Sequence, residues 1–436
     1  EWTGTMVLTE SEAGSDVGAL RTKAIPNDDG TYRIDGSKIF ITWGDHDLTD
    51  NIIHMVLARV PDAPPGTRGI SLFVVPKMLV NDDGSVGEWN KVETVSLEHK
   101  LGIHGSPTAV LSFDGSTGYL VGEPNSGMRL MFEMMNMARR EVGLEGLGVS
   151  DRAYQQAVEY AKERKQGRAI GTPKTESSPI VEHPDVRRML MIIKAYNEAA
   201  RGLLYDAAAS DERSHRHPDE NARQMGAARV ALLTPVAKSW CSDIGVLTTS
   251  LGVQIHGGMG YVEETGAAQY YRDSRIAPIY EGTNGIQAID LVLRKLPMAG
   301  GAIVAAYLDE MEALATKLSE QDDDRFATMG GSLAAGVAEL RAATDWLLAA
   351  EDPNDRLTGS TPYLEMFGTV AGGYYLGMLA LAAAGEESDA WLEAKIDTAA
   401  FYAQHILPMA AGLRSSVTAG AAGLFAVPVE GLETAK

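Results

Sequence analysis

"MRLMFEMMNMARREVGLEGLGVSDRAYQQAVEYAKERKQ" (Met128–Gln166) is the stretch at which the chain changes grammar. Apolar residues recur at helical period with few breakers, so the run predicts a long amphipathic helix. The residues before it read differently. "TYRIDGSKIFITWG" (31–44), "NIIHMVLARV" (51–60), "GISLFVVPK" (69–77) and "TAVLSFDG" (108–115) alternate or run apolar over strand lengths. The turn-rich clusters "PNDDG", "PDAPPG" and "NDDGSVG" separate them. That spacing predicts an antiparallel β-barrel or sandwich over residues 1–125.

Past the long helix the helical pattern persists through "HPDVRRMLMIIKAYNEAARGLLYDAAAS" (183–210) and "NARQMGAARVALLTPVAKSWCSDIGVLTTSLGVQIHGG" (221–258). Helices of this length predict an antiparallel four-helix-type bundle over 126–297. "LPMAGG" (296–301) reads as a linker, and an Ala-rich region, 298–436, reads as an additional C-terminal helical domain. The fold class is therefore α+β and multidomain. The segment Met366–Gly385 carries no charge and approaches spanning length. Its Ala and Gly composition favours a helix buried among other helices.

The 436 residues are too many for one core. At 45% hydrophobic and 22% charged they have a globular composition. A net charge of -21, from 59 acidic and 38 basic residues, opposes nucleic-acid binding. The single cysteine, Cys241, leaves no internal disulfide and fits a reducing cytoplasm. The chain opens "EWTGTMVLTE", with neither an initiator Met nor a basic, apolar leader, and reads as a fragment or a processed chain. No P-loop or G-x-G-x-x-G occurs, and no metal-spaced cluster: His256 is alone and "HRH" (215–217) reads as part of a charged loop.

Four short runs carry chemistry. "LTESEAGSD" (8–16) joins hydroxyls, backbone donors and glycines in a turn-rich loop that can meet a polar ring edge or a phosphate. "KIFITWG" (38–44) sets Ile39, Ile41 and Trp43 against Phe40 and Thr42, as in a strand with one buried face. "QIHGGMGY" (254–261) places Gly-Gly after a helix, where backbone can approach a ligand. In "PIYEGTNGIQAIDLVLRKL" (278–296) a lone carboxylate, Glu281, stands between an apolar lead-in and a flexible turn. A helix bearing Ile286, Ile289, Leu293 and Leu296 follows, capped by Thr283 or Asn284. Such an acid is costly to bury and badly placed for a surface ion pair.

In this order and at these separations the four runs resemble the acyl-CoA dehydrogenase family over residues 1 to about 297. Within the family the resemblance is to the long-C-terminus branch that includes 3-methylmercaptopropionyl-CoA dehydrogenase. The long loop "GTPKTESSPIVEHP" (171–184) and the "LPMAGG" extension support that placement. The resemblance implies α,β-dehydrogenation of an acyl-CoA thioester, with FAD as cofactor and an electron-transfer flavoprotein as acceptor. It implies Glu281 as the base for the α-proton, and that position 138, where some branches hold the base instead, is Ala138. Leu8, Thr9, Phe40 and Thr42 would line the flavin ring, while Gly14 and Ser15 would lie between it and the pantetheine arm. Arg164, Gln166, Gln254, Gly257 and Gly258 would hold the ADP part of FAD across a homodimer, and Thr283 would reach the flavin of its own subunit. Ser15, Asn136, Arg139, Tyr280 and Gly282 would contact the substrate.

Two positions depart from the family pattern: Gly167 stands where Phe is frequent, and Gly285 where Gln is frequent. The family's N-terminal helical domain is absent from these residues, so the chain alone is expected to turn over slowly. The C-terminal region is expected to favour a dimer over the tetramer of shorter relatives. An oxygen-using acyl-CoA oxidase and a non-catalytic DNA-binding relative are the alternatives. The charge and an intact Glu281 oppose the second.

Overall fold

The computed structural model describes residues 1–171, 173 and 175–433, so Thr172 and Lys174 of the long loop and the last three residues lie outside the described residues. The protein is a mixed α+β molecule, mostly helical, with one β-sheet unit. It divides into two compact units, the first comprising residues 1–137 and the second beginning at Ala138.

The first unit holds β1 (Thr3–Val7), β2 (Lys23–Pro26), β3 (Tyr32–Thr42), β4 (Ile52–Ala58), β5 (Ser71–Pro76), β6 (Met78–Val80), β7 (Val86–Trp89), β8 (Val92–Leu97) and β9 (Thr108–Val121). One sheet runs β1-β4-β5-β9-β3-β2, with β8 also paired to β9, and β6-β7 form a separate hairpin. The antiparallel expectation needs one correction. β1 pairs with β4 in parallel, from Thr3 opposite Ile52 to Val7 opposite Val56. A parallel pair needs a crossover rather than a tight turn, and the loop after β1 together with the β2–β3 hairpin supplies it. The end of β4 also meets β2: Ala24 N–H donates to Arg59 O at 2.8 Å and Arg59 N–H to Thr22 O at 2.9 Å. Val7, Ile34, Ile41, Val56, Phe73, Leu111 and Phe113 fill the core of this unit.

The alternation predicted for "KIFITWG" is broken by a bulge between Lys38 and Ile41 in the β3–β9 register. Phe40 sits there with φ 61° and is 59% exposed, while Ile41 turns into the core. The bulge lets one short run serve both the core and an outward aromatic face.

The helices are α1 (Gly127–Glu163), α2 (Pro184–Arg216), α3 (Glu220–His256), α4 (Ala267–Ser274), α5 (Asn284–Asp290), α6 (Ala302–Ser319), α7 (Asp324–Ala349), α8 (Pro353–Thr358), α9 (Ser360–Ala384), α10 (Ala390–His405) and α11 (Met409–Val417). α1 ends before Gln166, because Arg164 and Gln166 leave the helix to pair with Ile180 and Ser178. The "HRH" run is not a loop: His215 and Arg216 form the last turn of α2, where the Arg216 charge suits the helix end.

The sequence reading separates residues 126–297 from 298–436, but one hydrophobic cluster extends from Leu147 on α1 to Val417 on α11. The 82° bend between the helical stretch of α5 and that of α6 is made at Ala299, Gly300 and Gly301, all with positive φ. The charge-free part of α9, from Met366 onward, lies in this cluster, with Phe367, Val370 and Ala371 fully buried. α9 and the Glu220–Tyr261 stretch are long and apolar enough to cross a membrane, yet 72% of the most apolar 18-residue window in each is buried within the protein. The small residues of α9 have a packing reason: a Cβ at Gly368 would collide with the Trp240 ring, and one at Gly372 with Tyr402. Cys241, next to Trp240, is fully buried in the same cluster, and burial pushes its thiol pKa well up.

Candidate active site

Glu281 is half-buried in a backbone conformation that L-residues seldom adopt, φ 56°. Gly282 follows at φ 82°, and a Cβ there would lie 2.7 Å from Gln287 Nε2. Two consecutive left-handed residues turn the chain sharply into α5. Thr283 caps that helix by accepting the Ile286 N–H at 3.2 Å. The predicted continuous helix becomes a π-turn after Asp290, with Leu296 N–H bonding Leu291 O at 2.9 Å.

Burial raises the Glu281 carboxyl above its ordinary value, and Arg139 and Lys238 pull the other way. Arg139 is 8% exposed. Burial lowers its pKa, while Asp290 and Glu281 favour its charge. Asn136, one turn earlier on α1, is exposed. The Tyr280 hydroxyl hydrogen-bonds the Glu145 carboxylate. Burial raises Glu145 too, against that hydrogen bond and Lys238.

A second group of predicted residues lies in the first unit. The loop "LTESEAGSD" is fastened to β3 by Lys38, which is fully buried. Its Nζ donates to Leu8 O at 2.8 Å and pairs with Glu10 Oε1 at 2.9 Å. Ile39 N–H donates to Thr9 O at 3.0 Å. Glu10 further accepts from Arg21 N–H at 2.6 Å and from the Thr22 hydroxyl at 2.6 Å. Burial alone would raise Glu10, but Lys38 and these donors hold it below the usual value. Burial pulls Lys38 down to about 8 against the attraction of Glu10. Leu8 and Thr9 are thereby fixed beside β3, which carries Phe40 in its bulge and Thr42 just past it, while Gly14 and Ser15 stay exposed.

The third group gathers at one end of the second unit. The Tyr160 ring stacks on His256 at 4.5 Å between centroids, and Ala161 shares a hydrophobic cluster with Ile255. Arg164 and Gln166, just past α1, are thus brought to the same end as Gln254, Gly257 and Gly258, and all five are exposed. Cβ atoms at Gly257 and Gly258 would meet nothing within 4 Å, so the backbone there is open to a ligand. His256 itself is a core residue, its Nδ1 2.7 Å from Gly252 O. Gly285 also has room for a side chain, so the departure from Gln there removes a group without creating a clash.

Reading the sequence missed the residues that hold Glu281 in place. Lys238 on α3 is fully buried. It donates to Ala277 O at 2.8 Å and to Asn284 Oδ1 at 2.7 Å. Asn284 Nδ2 in turn reaches Asp243 Oδ1 at 2.8 Å and Ser242 Oγ at 3.0 Å. Burial pulls Lys238 down to about 8, opposed by Asp243 and Glu281. The signal was present: one Lys inside "LLTPVAKSWCSDIG", a helical run in which small and apolar residues predominate.

Comparison with known proteins identifies the family. Residues 5–116 match the "Acyl-CoA dehydrogenase, middle domain". Residues 125–296 match the "Acyl-CoA dehydrogenase, C-terminal domain" and 307–428 the "Acetyl-CoA dehydrogenase C-terminal like" family. The chain is 47% identical over 427 residues to a 3-methylmercaptopropionyl-CoA dehydrogenase of Ruegeria pomeroyi, covering 96% of this chain and 72% of that protein. In fold it is similar to an acyl-CoA dehydrogenase of Bacillus anthracis solved with FAD, at a TM-score of 0.76 and 22% identity over 95% of this chain and 68% of that one. A structure of the electron transferring flavoprotein of Acidaminococcus fermentans matches at TM-score 0.54 and 30% identity, over 67% of this chain and 68% of that one. The chain belongs to the acyl-CoA dehydrogenase family, in the branch of 3-methylmercaptopropionyl-CoA dehydrogenase.

Proposed function

We propose that Glu281 is the general base of an FAD-dependent acyl-CoA dehydrogenase, taking the α-proton of an acyl-CoA thioester as the β-hydrogen leaves. The observation that carries the reading is Glu281 itself: a half-buried carboxyl, raised by burial, in a strained turn beside Arg139 and Lys238. An α-C–H next to a thioester is a very weak acid. A carboxylate removes its proton only if its own pKa is raised and the carbonyl oxygen meets donors as charge develops. In this reading the Glu281 backbone N–H is one such donor. Gly282 keeps the approach to the thioester open, and Tyr280, held by Glu145, walls one side.

The chain's residues suit FAD. Phe40 offers an exposed aromatic face for a ring, and the Leu8–Thr9 backbone is rigidly held. The open glycine backbone at 257–258, with the Arg164 cation at the same end, suits a pyrophosphate. FAD supplies the hydride acceptor when bound. We assign Leu8, Thr9, Gly14, Ser15, Phe40, Thr42 and Thr283 to the flavin side. Arg164, Gln166, Gln254, Gly257 and Gly258 would hold its ADP part in a homodimer. Ser15, Asn136, Arg139, Tyr280 and Gly282 are assigned to the acyl-CoA.

The similarity to a structure of an electron transferring flavoprotein supports such a protein as electron acceptor. An oxygen-using reaction gains nothing from the relatives named above. In the same reading the β-unit is a partly closed barrel, joined through the β2–β4 bonds, and residues 126–297 form the bundle to which the C-terminal helices are appended.

The test is Glu281→Gln in the full-length, FAD-loaded enzyme, with flavin bleaching followed anaerobically after acyl-CoA is added. Gln keeps size and polarity but accepts no proton. Reduction should slow by about 10²–10⁴-fold while FAD content and acyl-CoA binding persist. Bleaching at near wild-type rate overturns the assignment.

A further inference from the structure

We propose that Lys238 is a positioning residue for this reaction, clamping the segment that carries Glu281 and lending its charge to keep the base ionised. The proposal rests on the assignment of Glu281 as base. Its two hydrogen bonds land on both sides of that residue: Ala277 O lies four residues before it and Asn284 Oδ1 three residues after it. Asn284 N–H closes the same loop on Pro278 O at 3.0 Å. A single ammonium on a rigid helix therefore ties both ends of a strained turn. Without such ties, the left-handed conformations at Glu281 and Gly282 would have little to hold them against relaxation.

The chemistry of the acceptors matters as much as their position. Both are neutral oxygens, and among the described residues no carboxylate pairs with the ammonium, so its field reaches outward. The charged groups around Lys238 are Asp243, Glu281, Arg139 and Glu145. Those around Glu281 are Arg139 on α1 and Lys238 on α3. Arg139 divides its attraction between Glu281 and Asp290, which leaves Lys238 as the second cation opposing the burial of the base. Tyr280, next to the base, is tied to Glu145 and so anchors the segment from a third side.

Two variants of the full-length, FAD-loaded enzyme separate clamp from charge. Lys238→Met keeps length and apolar packing but removes both donors and the charge. Asn284→Ala removes one acceptor and leaves the charge. Hydrogen–deuterium exchange at residues 277–285, read without substrate, should quicken in both variants while α9 and β3 stay protected. Flavin reduction should slow by about tenfold or more in each, as expected for a displaced reacting group. The pH profile of reduction distinguishes them. Glu281 must be ionised to act, so the rate falls as pH drops through its pKa. Removing the Lys238 cation disfavours the carboxylate, so the acidic limb of Lys238→Met should move to higher pH, while that of Asn284→Ala should not move. Unchanged exchange at 277–285 in Lys238→Met, or an unmoved limb, overturns the proposal. Failure of the base assignment is read separately, as full-speed reduction in Glu281→Gln.

Discussion

Two loops in this protein are held by the same device to different ends. In the first unit Lys38 is fully buried and donates to the backbone carbonyl of Leu8; in the second, Lys238 is fully buried and donates to that of Ala277, each at 2.8 Å. Both ammonium groups are pulled down to about 8 by burial. The difference lies in the second acceptor. Lys38 meets a carboxylate of its own loop, Glu10, and the two charges cancel in contact. Lys238 meets an amide oxygen, and the nearby acid, Glu281, is not one of its hydrogen-bond partners. A buried cation thus fixes geometry in either case, but in the reading proposed above only Lys238, whose hydrogen bonds go to neutral oxygens, has its charge left to act on a reacting group.

The largest test of that contrast is Lys38→Met. It should leave Glu10 buried with its partner charge gone, a loss of about 3–5 kcal/mol for a broken buried pair. Denaturant unfolding followed by the tryptophans should show it. The double variant Lys38→Met/Glu10→Gln should recover much of the loss, because no buried charge remains unpaired. No such recovery would mean that Lys38 acts through its bond to Leu8 O rather than through the ion pair.

A smaller effect is expected at Gly282→Ala. The residue has φ 82°, and its Cβ would press on Gln287. The left-handed penalty alone is about 1–2 kcal/mol. Melting temperature should fall modestly, whereas flavin reduction should fall more, since the strain is released at the base. Equal loss in both would place Gly282 among ordinary turn glycines.

The smallest effect is a pair of opposite slopes in stability against pH. The folded-state pKa of Glu10 lies below the ordinary 4.5. Its contribution is therefore present above 4.5 and is lost as pH falls from there through the folded value. That of Glu281 lies above 4.5. The unfolded chain then ionises first, and the contribution of Glu281 is lost as pH rises from 4.5 through the folded value. Relative to Glu10→Gln, the wild type should weaken on acidification below 4.5. Relative to Glu281→Gln, it should weaken on moving upward from 4.5. Matched urea titrations across this range check both signs, and parallel slopes would dissolve the distinction between the two loops.

Much of this was legible from the residues. The switch from turn-punctuated strands to helical period at Met128 marked the change of architecture, and the isolation of Glu281 between "PIY" and "GTNG" marked an acid in an unusual place, which the structure puts half-buried in a left-handed turn. The parallel β1–β4 pair was not legible, because strand periodicity says which face is buried and nothing about which strands pair. Nor was the shared core of the two helical regions, since linker composition at "LPMAGG" reports a turn but not what packs across it. The buried lysines were half-visible. Lys38 falls two steps in phase from buried Ile34, and Lys238 sits in an apolar helix, yet their acceptors are backbone and amide oxygens that no residue type announces.

The lone thiol of Cys241 has a consequence for experiment. It is enclosed by the large helical core, and its raised pKa leaves almost no thiolate, the form that reacts. A thiol reagent can therefore modify it only when that core opens, and with one cysteine in the chain every labelling event counts an opening. The molecule carries its own clock for core opening, one that can be read in the unaltered sequence without an added probe.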